Sequence, residues 1–300
     1  MAHRIAVAYA AVPKEGGTFT FYRNIREPLA HHDIDLLCVS VGFDQACLWN
    51  EAYADEGCVL LAPETASVKR QAQRFVAWCE ERGVDIVLGV NSPAILSAIP
   101  HLLTDTVALA RCANGFDHGY RITLAGRERL TRIVALVPRL AEDLVNEYGA
   151  PRERIALIPN GIDPVPFAAA AARPRGTKPV LRLGFVGRLE HNQKGILHLP
   201  DILRALDDMG VDFTLRIAGQ GRREDELRRR LAAQVDAGRV IFEGLLLPEK
   251  IPDFLGDCDV FVFTSHFEGC PNALLEALMA GAVPICWHLP GTTDFVVEDG

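Results

Sequence analysis

The strongest constraint on this chain is an alternation that runs from end to end: short, continuously apolar runs separated by longer amphipathic stretches. In the first half the runs are RIAVAYA, DLLCVSV, DIVLGV, TVALA, IVALV and RIALIP, with helical stretches up to about Ala30 and around Val68 to Arg82. Strands that are apolar on both faces must be covered on both faces. Intervening helices supply the cover, so the pattern predicts a parallel α/β sheet. After Phe167 the sequence AAAAARPRGTKP is small and then Pro-rich, without helical periodicity, and reads as a linker. The alternation then restarts with LRLGFVG, a helix from about Lys194 to Met209, DFTLRIAG, and a helix from about Glu224 to Val235. RVIFEG, a short helix near Ile251 to Leu255, DVFVFTS, a helix carrying Glu276, and AVPICW complete it. The expected organisation is an α/β domain over residues 1–165, a linker over 166–179 and a second α/β domain over 180–300.

Composition agrees and excludes several classes. A chain of 300 residues that is 49% hydrophobic exceeds the usual size of one domain. The net charge is −8, and the halves on either side of the Val165–Pro166 bond carry 16 basic against 20 acidic residues and 15 against 19. Neither half has the basic excess of a nucleic-acid binder. The clusters Arg121 to Arg139 and Arg222 to Arg230 read as solvated faces, the second being interleaved with Glu224, Asp225 and Glu226. No apolar run approaches the roughly 20 residues of a membrane span. The opening MAHRIAVAYAAVPKEGG reads as a strand and turn of the mature protein and not as a signal peptide. Eight cysteines are scattered without a C-x-x-C pair, which argues against a cysteine zinc site or a redox motif and suits buried thiols in a reducing cytoplasm.

In open parallel sheets, ligands sit at the carboxyl ends of strands, where amides of the following helix can bind anions. Four stretches lie at such positions. Lys14-Glu15-Gly16-Gly17 follows the first strand, where paired glycines form either a tight turn or a close approach to a ligand. Neither this stretch nor Gly219-Gln220-Gly221-Arg222-Arg223-Glu224 is a dinucleotide fingerprint. Gly187 to Gly195 places Arg188 at a strand end and Lys194 at the expected start of a helix, so both cations either converge on a diphosphate or face solvent. In HFEGCPNALLEALMAGAVPI, Glu268 and Glu276 are the only charged residues, with Pro271 suited to a first helical turn. Carboxylates in so apolar a run are paired, solvated from one side or facing a ligand. At ~1.5 Å per residue they would be on the order of 10 Å apart, which suits hydroxyl-bearing groups on either side of a diphosphate; a buried ion pair with an arginine is the alternative. The fourth stretch, Ile158-Pro159-Asn160-Gly161-Ile162-Asp163-Pro164, is expected only to form a turn.

Taken in order, KEGG, IPNGID, FVGRL followed by KG, IAGQG, VIFEG and EGCPNALLEALMAGAVPI resemble the retaining glycosyltransferases of family 4. The resemblance covers the second domain to residue 300 and is mostly one of fold over residues 20–155. It implies the GT-B architecture, two Rossmann-like parallel-sheet domains facing across a cleft. The implied activity is hexosyl transfer, with retention, from a nucleotide-sugar donor to a glycan, lipid or small-molecule acceptor, in cell-envelope or polysaccharide biosynthesis. Donor-binding residues would be Gly16, Gly17, Arg188, Lys194, Glu268, Gly269, Asn272, Ala273, Leu274 and Glu276. Of these, Arg188 and Lys194 would grip the diphosphate, Glu276 the ribose, and Glu268 the sugar hydroxyls. Where many members carry a histidine after the fourth first-domain strand, this chain reads Arg111-Cys112-Ala113-Asn114, and His118 is the candidate to take its place beside Glu268 in catalysis. No cofactor and no metal are expected. The implied location is cytoplasmic, with peripheral membrane contact if the acceptor is lipid-linked.

Competing readings are a non-catalytic nucleotide-sugar binding protein and an epimerase or hydrolase of the same fold; a dehydrogenase is least favoured. Related sequences continue past Asp299-Gly300 into a further strand and helices. The chain is accordingly expected to be C-terminally truncated, with apolar surface left beside AVPICW.

Overall fold

In the computed structural model every strand pairing among the described residues is parallel, as expected of strands apolar on both faces. The structure describes residues 5–10, 17–42, 49, 51–173 and 180–298. It divides the chain into two units, Met1–Gly161 and Ile162–Gly300.

The first unit is a seven-stranded sheet of order β3-β2-β1-β4-β5-β6-β7. Its strands are β1 Ile5–Ala10, β2 Ile34–Val41, β3 Val59–Leu61, β4 Ile86–Gly89, β5 Val107–Cys112, β6 Leu130–Ala135 and β7 Ile155–Leu157. The three-residue edge strand β3, half-buried along its length, escapes a sequence reading because it is too short to show a period. Helix Gly17–Ala30 follows β1 and packs Phe19 and Tyr22 onto Tyr9 and Cys38. Helix Val68–Arg82 ends on Gly83, whose left-handed conformation lets its amide reach the carbonyls of Cys79 and Glu80.

The second unit is a five-stranded sheet of order β10-β9-β8-β11-β12. Its strands are β8 Leu181–Val186, β9 Phe213–Ala218, β10 Val240–Gly244, β11 Val260–Phe263 and β12 Val283–Cys286. One core gathers Leu183, Phe185, Leu199, Leu203 and Phe213, and another gathers Phe254, Phe261, Phe263, Leu274 and Ala277. Val283 and Ile285 on the edge strand β12 are 60% and 61% exposed. The basic run at Arg222 to Arg230 is the solvated face expected, with Glu224–Arg228 and Glu226–Arg230 ion pairs one turn apart. Among the described residues no helix is long and apolar enough to cross a membrane.

The structure corrects three local expectations. Residues 166–173 of the expected linker are packed against the second unit: Phe167 and Ala170 are buried in its second core, and Arg173 pairs with Asp253 and Asp257. The Ala170 methyl fits against Gly256, a contact that small size permits and that helical periodicity does not reveal. Residues 174–179 lie outside the described residues. The helix expected from Lys194 to Met209 is broken into a one-turn helix His191–Lys194, a 3-10 turn Ile196–His198 and helix Leu199–Asp208. Likewise the helix from Glu224 is interrupted at Leu231.

Gly195 causes the first break. It has φ +60° and closes the one-turn helix, its amide bonding the His191 carbonyl at 2.9 Å. A Cβ at Gly195 would stand 2.0 Å from the Thr264 carbonyl oxygen, so only glycine lets the two loops touch. Gly210 has a similar φ of +69° but nothing within 4 Å of an added Cβ. Gly210→Ala therefore carries only the left-handed penalty of about 1 kcal/mol, whereas Gly195→Ala must also push one backbone away from another and should lower stability by roughly 2–3 kcal/mol. Urea unfolding of both variants checks this; equal losses would mean that the contact with Thr264 contributes nothing.

Candidate functional site

The second unit runs from β8 through β9 to β10 on one side and returns to the other side of β8 for β11. The reversal falls between the carboxyl ends of β8 and β11, the place where open α/β sheets leave a crevice. The two loops that leave those ends are residues 187–195 and 264–271, and they contain Arg188, Lys194 and Glu268.

Backbone contacts hold the first loop from both sides. Toward β9, Gly187 donates to the Ala218 carbonyl at 3.0 Å, Leu189 to Gln220 at 2.9 Å, and Arg223 donates back to Leu189 at 3.0 Å. Gly219 makes this possible, since a Cβ there would lie 1.8 Å from the Gly187 carbonyl oxygen. Its neighbour Gly221 likewise faces Leu189, so these glycines serve a backbone-to-backbone contact. Toward β11, the Thr264 hydroxyl donates to the Lys194 carbonyl at 2.8 Å, and the His266 amide to the Gln193 carbonyl at 2.8 Å. Glu190 caps the one-turn helix by accepting from the amides of Asn192 and Gln193.

Lys194 thus ends a helical turn and does not begin a helix, contrary to expectation, because the Glu190 cap starts the turn three residues earlier than the apolar pattern does. Its Nζ lies 2.6 Å from Glu268 Oε1, with the two side chains 16% and 8% exposed. Gln193 Nε2 donates to the other carboxylate oxygen at 3.4 Å, and the exposed Arg188 guanidinium donates to Gln193 Oε1. Glu268 is therefore paired, with a lysine where an arginine was the alternative. The two groups expected to grip different parts of a ligand meet each other.

Glu276 differs. It sits on helix Asn272–Met279, half-buried, and no ion pair or side-chain hydrogen bond engages its carboxyl among the described residues. Burial pushes its pKa up to about 7, because an unpaired carboxylate in apolar surroundings resists ionising.

The other expected site residues are placed as follows. Pro271 stands just before the helix, and the amides of Gly269 and Ala273 have no acceptor among the described residues, as an anion site at a helix start requires. Leu274 does not fit a ligand-contacting role: its side chain is fully buried in the core, and its amide is bonded to the Pro271 carbonyl at 3.0 Å. Asn272 opens the helix. In the first unit Gly17 is exposed at the start of its helix, while Gly16 lies outside the described residues. His118 is exposed in the first turn of helix Asp117–Thr123, stacked on Phe116 at a centroid distance of 6.5 Å.

Two groupings escaped the sequence reading. Arg111, 2% exposed, lies over the Phe21 ring at 4.1 Å and donates to Asn160 Oδ1 at 2.5 Å, so the Asn160 turn holds a buried cation as well as reversing the chain. An arginine inside a run of strand-forming residues was the available signal. The second is a cluster of His191, His198 and His266 beside the two loops. His266 is 68 residues from His198, and no local spacing connects them.

Comparison with known proteins bears on the second unit above all. Residues 181–300 match the family model described as glycosyl transferases group 1. The 2-deoxystreptamine glucosyltransferase of Streptomyces kanamyceticus is 30% identical over 178 residues, covering 56% of this chain and 45% of that protein. The GDP-mannose:cellobiosyl-diphosphopolyprenol alpha-mannosyltransferase of Xanthomonas oryzae pv. oryzae is 30% identical over 182 residues, 58% of this chain and 46% of that one. These matches span about half the length of the relatives. Among solved structures, Anabaena HepE in complex with UDP and glucose has a TM-score of 0.73 at 17% identity, over 98% of this chain and 83% of that chain. Lipopolysaccharide outer core galactosyltransferase WaaB, in its apo form, gives 0.69 at 19%, over 94% and 80%. The second unit thus matches the glycosyl transferases of group 1, and the chain has the fold of these solved glycosyltransferase structures.

Proposed function

We propose that the chain is a retaining glycosyltransferase whose second unit binds a nucleotide-sugar donor without a metal ion. The observation that carries this reading is the Lys194–Glu268 pair at the topological switch point, flanked by amides of Gly269 and Ala273 that lack acceptors among the described residues. A diphosphate brings negative charge and acceptor oxygens to a place that holds a cation and free donors. Lys194 and Arg188 then stabilise the departing diphosphate as the bond from sugar to phosphate breaks. Glu268, released from Lys194 by the phosphate, accepts hydrogen bonds from the sugar hydroxyls, and Glu276 accepts them from the ribose. By the resemblance, Gly16 and Gly17 belong to donor binding and His118 to the placing of sugar and acceptor. The acceptor is a hydroxyl-bearing glycan, lipid-linked sugar or small molecule; the relatives named for an aminocyclitol and for a diphosphopolyprenol span that range. A cytoplasmic location suits a nucleotide-sugar user.

A second reading, a non-catalytic nucleotide-sugar binder, is favoured by one observation. Where many family members place a catalytic histidine, this chain buries Arg111 against Phe21 and Asn160. A thermal-shift screen against nucleotide-sugars, followed by product analysis with candidate acceptors, separates the two, since both bind donor and only one transfers sugar.

Nucleoside-diphosphate affinity should persist in chelator and fall by about 1.5–3 kcal/mol in Lys194→Ala, the range for hydrogen bonds to charged groups. Glu268→Gln should weaken the sugar-bearing donor while sparing the bare nucleotide, because it frees Lys194. Loss of nucleotide binding in chelator, or equal losses of both ligands in Glu268→Gln, would count against the assignment.

The unpaired Glu276 generates a pH prediction. Its folded pKa of about 7 lies above the ordinary 4.5, so the folded state holds a proton that the unfolded chain has lost between these values. Stability should therefore decline as pH rises through that window, by on the order of 3 kcal/mol in all, and the decline should flatten in Glu276→Gln. Ribose hydroxyls donate to the ionised carboxyl, so nucleotide affinity should rise from about pH 6 to about pH 8 more steeply in wild type than in the variant. Parallel profiles for the two proteins would remove Glu276 from the ribose site.

A further inference from the structure

Three imidazoles, from two loops and a helix start, face one another beside the switch point. His191 opens the one-turn helix after β8, His198 ends the following 3-10 turn, and His266 lies in the loop after β11. Their ring centroids are 5.1–5.3 Å apart in pairs, at interplanar angles of 60° to 77°. One ligating nitrogen of each lies within 4.8 Å of the others.

Hydrogen bonding orients the cluster. His266 Nδ1 lies 3.1 Å from the Asn192 carbonyl, which can only accept, so Nδ1 carries the proton and Nε2 presents a lone pair inward. His198 Nε2 is 2.8 Å from that lone pair. A carbonyl fixing the outer nitrogen of an inward-pointing imidazole is the usual support of a metal-ligating histidine. His191 Nδ1 receives a long 3.3 Å contact from the Leu197 amide, which is lost if the ring turns to ligate. Metal–nitrogen bonds of about 2.0–2.1 Å in tetrahedral array need nitrogens roughly 3.3 Å apart. That figure lies between the 2.8 Å and 4.8 Å that the cluster spans, so small side-chain rotations reach it.

We propose that His191, His198 and His266 bind one borderline transition-metal dication of the zinc type through three imidazoles, leaving a fourth position open, and so clip the loop of Lys194 to the loop of Glu268. All-nitrogen ligation selects this class over magnesium or calcium, which take oxygen ligands. Ties to backbone carbonyls already join these loops, the Thr264 hydroxyl to the Lys194 carbonyl and the His266 amide to the Gln193 carbonyl, and side-chain ties run from Lys194 and Gln193 to Glu268. The ion adds a metal-centred bridge between imidazoles of the two loops to these hydrogen bonds. In this proposal the ion makes no contact with the diphosphate, whose oxygens are met by Lys194, Arg188 and backbone amides.

The test uses the full chain, stripped of metal by chelator and dialysed, with no nucleotide present, so its failure leaves the donor assignment untouched. Titration with Co2+ should give one equivalent with visible absorption of a low-coordinate nitrogen site, displaced by Zn2+ and not by Mg2+. Replacing histidines singly, His266→Asn or His198→Gln, should weaken binding by roughly 100-fold or more, since loss of a ligand costs at least as much as loss of a group that supports one. Trp287, edge-on to His198 at 5.8 Å, supplies a second readout: its fluorescence should be quenched by Co2+, and Trp287→Phe should lose the quenching while keeping the absorption. No stoichiometric binding to wild type overturns the proposal. So does equal affinity in the histidine variants, or quenching that survives in Trp287→Phe with the absorption absent.

Discussion

Backbone pressed against backbone at the carboxyl ends of β8, β9 and β11 governs how the second unit presents its side chains. Gly219 lies on the Gly187 carbonyl and Gly195 on the Thr264 carbonyl, each at a separation that excludes a Cβ. These contacts fix the loop from Gly187 to Gly195 between two neighbours, and the Glu190 cap sets where its single helical turn begins. Lys194 consequently projects toward Glu268 from a peptide that is itself tied to Thr264. The 2.6 Å contact of the pair is shielded on both partners, which limits its screening by solvent.

The two carboxylates of one apolar helix-and-loop stretch have opposite environments, and that difference defines the chemistry available. Glu268 is compensated by a cation and an amide, so it remains a charged acceptor that can be transferred to another donor group. Glu276 is desolvated without compensation, so it gains most when a ligand brings hydroxyl donors. Of the two, only Glu276 lacks, among the described residues, a partner that a ligand could supply. The helix start between them carries the amides of Gly269 and Ala273, while Leu274 serves the core beneath.

In the first unit the corresponding strand ends are organised around a cation. Arg111 is fully buried in β5, where the Phe21 face and Asn160 Oδ1 replace its hydration. An ionised guanidinium at that depth persists only with such partners. Asn24 reaches the adjacent Gly161 carbonyl at 3.3 Å, so the turn after β7 is joined to the first helix as well.

The α/β class, the parallel sheets and the strand ends at which to look were all legible in one dimension, because burial on both faces imposes continuous apolar runs. The candidate loops were legible too, since Gly-Arg-Leu, Lys-Gly and Glu-Gly stand where such strands end. What the side chains meet was not legible until the chain is folded. Lys194 finds Glu268 across 74 positions and Arg111 finds Asn160 across 49. His266 joins His191 and His198 only because β11 lies beside β8 and not beside β10. The same order of strands makes Gly195 a packing residue and leaves Glu276 without a side-chain partner among the described residues. Local spacing encodes the period of an element, but pair contacts depend on which strand is neighbour to which, and that is settled by the burial of the whole sheet.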